Sequence, residues 1–140
     1  MHAYLLPFSY VWMFVAALLG LRLGIASLRF NAKIGEIAQS GDLASYHAAS
    51  RAFNWSKTVH AHTFLFSTVA AVTFFALDRS VYGTTAKDVI TAGIMAASVL
   101  WTLGAIKEIR PLMGIADFAF LFSVGAAAYG LVAAHLPGIS

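Results

Sequence analysis

"RAFNWSKTVHAHTFLFSTVAAVTFF", from Arg51 to Phe75, changes character partway along. Its start carries Arg51, Asn54 and Lys57 among aromatic residues, whereas the run from Thr58 to Leu77 holds no Asp, Glu, Lys or Arg. A helix that is apolar all round needs an apolar medium on every side, and about 20 such residues cross the hydrocarbon core of a bilayer. The stretch therefore reads as a helix passing from water into a membrane, with His60 and His62 at the changeover.

The rest of the chain repeats the pattern. Residues 1–21, 89–106 and 118–140 are also free of Asp, Glu, Lys and Arg. Of the 140 residues, 60% are hydrophobic and 11% charged, against about 25% charged in a soluble domain. So few charges cannot cover a globular surface. Backbone groups in lipid must bond within their own segment, and the alternating polarity of barrel strands is absent. The sequence thus predicts an all-α integral membrane protein, one domain over 1–140, with four transmembrane helices in a bundle: Tyr4–Leu28, Thr58–Leu77, Ala86–Ile106 and Leu112–His135. The first span has no basic residue before its apolar run, so it reads as a span and not as a cleaved signal peptide. With no cysteine, disulfides and thiolate ligands are excluded.

Orientation follows from the basic residues. Arg29, Lys33, Arg51 and Lys57 lie in the first connection, Lys107 and Arg110 in the third, and only Arg79 and Lys87 in the second. The positive-inside rule puts connections one and three in the cytoplasm and both termini on the non-cytoplasmic side. A bacterial inner membrane is the expected location. The net charge of +3 is then a matter of topology, and no nucleic-acid motif accompanies it. Residues 29–57 read as a long cytoplasmic first loop, within which Ser40 and Asp42 are cap candidates for a second helix starting near Leu43. That helix is expected to be the longest. Pro111 suits the first turn of helix four. Small pairs at Gly20/Gly24, Gly93/Ala97 and Ala126/Gly130 mark close helix contacts.

Charges inside spans default to a functional reading. Arg22 lies seven residues before Arg29 and Asp117 seven after Arg110, so each is roughly 10 Å inside the cytoplasmic boundary at 1.5 Å per residue. His60 and His62 are slightly shallower on the same side. The four form a candidate intramembrane polar cluster, with an Arg22–Asp117 ion pair or a snorkelling Arg22 as the structural alternative. Residues two apart on a helix point about 200° away from each other, so His60 and His62 cannot close on one metal. Haem or metal binding would need one of them and a partner from another helix; no metal site is assigned.

Four spans in this length, termini outside and a basic first connection resemble the MAPEG family, the membrane-associated proteins of eicosanoid and glutathione metabolism. "LGLRLGIASLR" (Leu19–Arg29) is similar to the end of that family's first helix, and "SGDLASY" to the turn into its second. "RAFNWSKTVHAHTFLF" resembles its helix-two pattern, and "IRPLMGIADFAF" the stretch that opens helix four in bacterial members. Lys57 stands where the family has glutamate, and His60 near where it has proline. The resemblance implies glutathione as co-substrate, with Arg51 and Asn54 contacting it, Arg22 or Arg29 behind them, and Arg110 activating the thiol. It implies a transferase or peroxidase acting on lipophilic substrates, and a homotrimer with sites between subunits. The competing expectation is a non-catalytic accessory subunit packed in a larger membrane complex.

Overall fold

A computed structural model of the chain describes residues 1–136. After a 3-10 turn at His2–Tyr4, four helices follow: α1 (Leu5–Ser40), α2 (Leu43–Asp78), α3 (Thr84–Ile106) and α4 (Arg110–Ala133). All four are long and apolar enough to cross a membrane, and no strand occurs among the described residues. This is a multi-pass helical membrane protein.

The long first loop does not exist. Gly41 and Asp42 alone separate α1 from α2, and α1, at 36 residues, is as long as α2. The physical reason lies in "RFNAKIGEIAQS", where Phe30, Ile34 and Ile37 recur at helical spacing and are all half-buried. The stripe faces α2, where Phe30 stacks on Phe53 with centroids 4.7 Å apart. What stops α1 is Gly41, held at φ 69° with its N–H on the Ala38 carbonyl. Glycine takes this left-handed conformation without a Cβ penalty.

Asp42 opens α2 as its N-cap. The carboxylate accepts from the Ser45 N–H at 3.1 Å and from the Ser45 hydroxyl at 2.6 Å. Those bonds, the hydroxyl's first, hold the Asp42 carboxyl below its ordinary range.

At about 1.5 Å per residue, α1 and α2 each exceed the roughly 30 Å hydrocarbon thickness by several turns, while α3 and α4 nearly match it. Trp55 Nε1 donates to the Ala105 carbonyl at 3.1 Å, so the end of α3 stands level with Trp55. The first three or so turns of α2, with the facing end of α1, extend past it as a helical hairpin.

The core lies between α2, α3 and α4. Phe66 packs on Phe120 at 4.5 Å and edge-on to Trp101 at 5.3 Å, with Ile94, Ala97 and Ala127 buried beside them. Buried hydroxyls bond back along their own helices: Thr63 to Val59, Ser98 to Ile94 and Ser123 to Ala119, each at 2.8 Å. This is how polar side chains become cheap in an apolar interior.

Small residues set the closest approaches. Gly93 faces Ser123, and Gly130 faces the ring of Tyr82 so closely that a β-carbon would collide with it. Tyr82 is fixed there by its own hydroxyl, which donates to the Ala126 carbonyl at 2.9 Å, and by the neighbouring Val81 N–H on the Gly130 carbonyl at 3.1 Å.

Two predictions follow from these devices. Gly130→Ala is expected to destabilise by about 1–3 kcal/mol through overpacking. Gly125→Ala, which meets nothing within 4 Å, should instead gain up to about 1 kcal/mol of helix propensity; thermal unfolding of both variants in detergent checks the contrast. Because the folded Asp42 carboxyl titrates below its unfolded value, the cap is fully effective above the unfolded value and is lost as pH falls through the folded one. Amide protection factors at residues 44–46 should therefore hold from neutral pH to about pH 4 and drop below it in hydrogen-exchange measurements.

Candidate functional site

Antiparallel packing of α1 on α2 sets the site. His60 lies against Gly20, where a β-carbon would sit 2.8 Å from His60 Cε1. The His60 Nδ1 is 2.9 Å from the Ala16 carbonyl. A carbonyl only accepts, so Nδ1 carries the proton and donates. This contact and the Phe30–Phe53 stack fix the register, bringing Arg22 about level with Thr58 and Arg29 about level with Asn54.

His62 faces elsewhere, as the angular separation requires. Its Nδ1 donates to the Thr58 carbonyl at 3.0 Å, and its ring stacks on Trp101 at 4.6 Å with planes 7° apart. One histidine therefore ties α2 to α1 and the other ties it to α3. Among the described residues, no group of three or more His, Asp or Glu is placed to hold a metal ion.

The four-residue polar cluster is not brought together. Arg22 is exposed on α1, Asp117 is half-buried on α4, and these two helices make no contact among the described residues. The one ion pair among the described residues joins the Met1 ammonium to Asp88 at 2.7 Å, at the start of α3.

A different grouping does form. Arg22, Arg29, Arg51, Asn54 and Arg110 all line one open cleft of about 1310 Å³ between the extended ends of α1 and α2 and the α3–α4 turn. His60, His62 and Asp117 are not among its lining residues. Leu18, Leu21 and Ile25 continue the wall towards the membrane-spanning part of α1, and Trp55 and Met113 stand where the cleft meets the bundle. Lys33 adds a further cation, while Lys57 lies over the Phe53 ring at 4.3 Å.

Arg22, Arg29 and Lys33 share a face of α1, since seven and eleven residues are close to two and three whole turns. They make no ion pair with a protein carboxylate among the described residues. Positive charges so arranged, at the edge of a low-dielectric slab, attract an anion strongly.

Glu108 is the one carboxylate in the lining. It sits at φ 58°, the only non-glycine with positive φ among the described residues. The turn is a Schellman motif: Ile109 N–H bonds the Gly104 carbonyl at 2.7 Å and Glu108 N–H the Ala105 carbonyl at 3.3 Å. Glycine usually fills this position, and a side chain there costs about 1–2 kcal/mol. Nothing in "IKEIRP" announces the backbone conformation; the signal available was a lone acid between Lys107 and Arg110.

His60→Ala removes a hydrogen bond and the packing against Gly20, and should cost about 1–2 kcal/mol. A lowered unfolding midpoint in detergent is the readout.

Comparisons with protein-family models, curated proteins and solved structures find no match.

Proposed function

We propose that the chain is a MAPEG-like membrane protein that binds glutathione in the cationic cleft and presents its thiol to lipophilic substrates, as a transferase or peroxidase. The reading is carried by the cleft itself, whose lining contains every residue that the family resemblance offered for glutathione: Arg22, Arg29, Arg51, Asn54 and Arg110. Arginine pairs with carboxylates in a bidentate way, and the peptide's two carboxylates suit Arg51 and Arg29, with Asn54 hydrogen-bonding the backbone between them. Arg110 stabilises the thiolate, which is the nucleophilic form. A lipophilic co-substrate reaches the thiolate from the bilayer along Leu18, Leu21 and Ile25. The basic residues around the cleft orient it to the cytoplasm, where the tripeptide is dissolved, with both termini on the other side of a bacterial inner membrane.

A second reading is supported by α1. Its buried residues are only Leu5, Ser9 and Ala16, while Tyr10, Phe14, Leu18, Leu21, Ile25 and Leu28 are exposed. Such a face suits either lipid or a neighbouring helix. On this reading the chain is an accessory subunit of a larger complex; in the enzyme reading Leu18, Leu21 and Ile25 stay open to the bilayer, and Tyr10 and Phe14 serve a homotrimer.

Calorimetric titration of the purified protein in lipid nanodiscs is expected to show glutathione binding that weakens at least tenfold in Arg51→Ala, the loss of a charge-assisted hydrogen bond, and that falls with salt. Native mass spectrometry after gentle extraction separates the readings. A homo-oligomer that gains the mass of glutathione supports the enzyme, and a hetero-assembly indifferent to it supports the subunit.

A further inference from the structure

Arg22 is a cation among apolar surroundings. Arg29 stands about level with Asn54, beside the Trp55 that bonds the end of α3. Arg22 lies about two turns nearer the middle of the bundle, roughly 10 Å deeper at 1.5 Å per residue. Its side chain is exposed, and it makes no ion pair among the described residues. Leu18, Leu21 and Ile25 around it are exposed as well, so the medium at this part of α1 is hydrocarbon. An unpaired guanidinium there is costly. It lowers that cost by reaching towards the interface, where the anion within its reach is a lipid phosphate.

The helical repeat divides this part of α1 into three stripes. Phe30, Ile34 and Ile37 face α2. Arg22, Arg29 and Lys33 form the next stripe, roughly a quarter-turn round, and Leu18, Leu21 and Ile25 follow on the outer side. We infer that the basic and outer stripes together bind an anionic phospholipid, with its phosphate between Arg22 and Arg29 and its acyl chains along Leu18, Leu21 and Ile25. Guanidinium forks pair with phosphate in a bidentate way, and two of them on one face, two turns apart, close on the group from both sides. Lys33, one turn beyond Arg29, faces the headgroup. The cleft wall carries five cations against one carboxylate, a field that selects a lipid of net negative charge over a zwitterionic one. At about 1310 Å³ the cleft exceeds the usual small-ligand pocket of about 300–1,000 Å³. A headgroup on α1 thus leaves room for a second ligand against α2 and the α3–α4 turn. The inference goes beyond the glutathione reading and does not depend on it.

The test is native mass spectrometry of the detergent-extracted chain, titrated with phosphatidylglycerol and, separately, with phosphatidylcholine of the same acyl chains. The wild type should hold phosphatidylglycerol at least tenfold more tightly, the size of one charge-assisted hydrogen bond. Arg22→Gln and Arg29→Gln should each bring the two lipids to parity. Arg79→Gln, at the far end of α2, should keep the full preference. Phosphatidylglycerol should also raise the unfolding midpoint of the wild type and not that of Arg22→Gln. Without lipid the two midpoints should match, so lost binding is not lost folding. Glycerol 3-phosphate added as competitor should leave the lipid in place; displacement would assign the site to a soluble phosphate and overturn the lipid. Equal retention of the two lipids by the wild type, or a preference that survives in either arginine variant, overturns the inference. Glutathione binding in Arg51→Ala is a separate readout, so each proposal can fail without the other.

Discussion

The seating of the His60 ring on Gly20 is the contact from which the rest of the site takes its position. Only a residue without a β-carbon leaves room for an imidazole there, and the ring's hydrogen bond to Ala16 fixes how far α2 slides along α1. A shift by one turn, about 5.4 Å, would carry Arg29 away from Asn54 and break the Phe30–Phe53 stack. The glycine that makes close packing possible inside the membrane thus sets which polar groups meet outside it. The histidines first look like ligands because they are polar residues among apolar ones. The Nδ1 of each donates to a helix carbonyl, and their flat faces pack against Gly20 and Trp101.

How much of this was legible depends on what kind of signal each part leaves. The uncharged runs mark the four helices because lipid tolerates few charges, and Asp42 is legible as a cap because a carboxylate before an apolar residue has a local role. The continuation of α1 through residues 29–40 leaves no mark in the charge pattern, because absence of charge locates the hydrocarbon and not the helix end. Its signal was periodicity: Phe30, Ile34 and Ile37 keep a helical spacing through a stretch whose composition looks like a loop. For the site, Arg22, Arg29, Arg51, Asn54 and Arg110 were each nameable, but the cleft they share was not. It depends on the register between two helices, a tertiary quantity. The polar cluster of Arg22, Asp117, His60 and His62 assumed that equal depth means proximity. Depth is one coordinate, and α1 and α4 stand apart in the plane of the membrane. The conformation of Glu108 is not legible because a positive φ is a property of the turn that surrounds it.

The contacts also sort the helices into pairs. α1 lies chiefly against α2 and α3 chiefly against α4, with α2 providing most of what joins the pairs. Each pair is made of helices adjacent in sequence, so each is a helical hairpin that can leave the insertion machinery and enter the bilayer before the other is made. Assembly then needs no long-range search: the second hairpin arrives tethered by the short turn between Asp78 and Thr84, and docking is a two-dimensional event between preformed bodies. The seam between the hairpins is also the one place where the fold joins without chain continuity, apart from that turn. The cleft lies at the end of the seam away from the tether. The turn that ties the hairpins and the open cleft thus stand at opposite ends of the bundle.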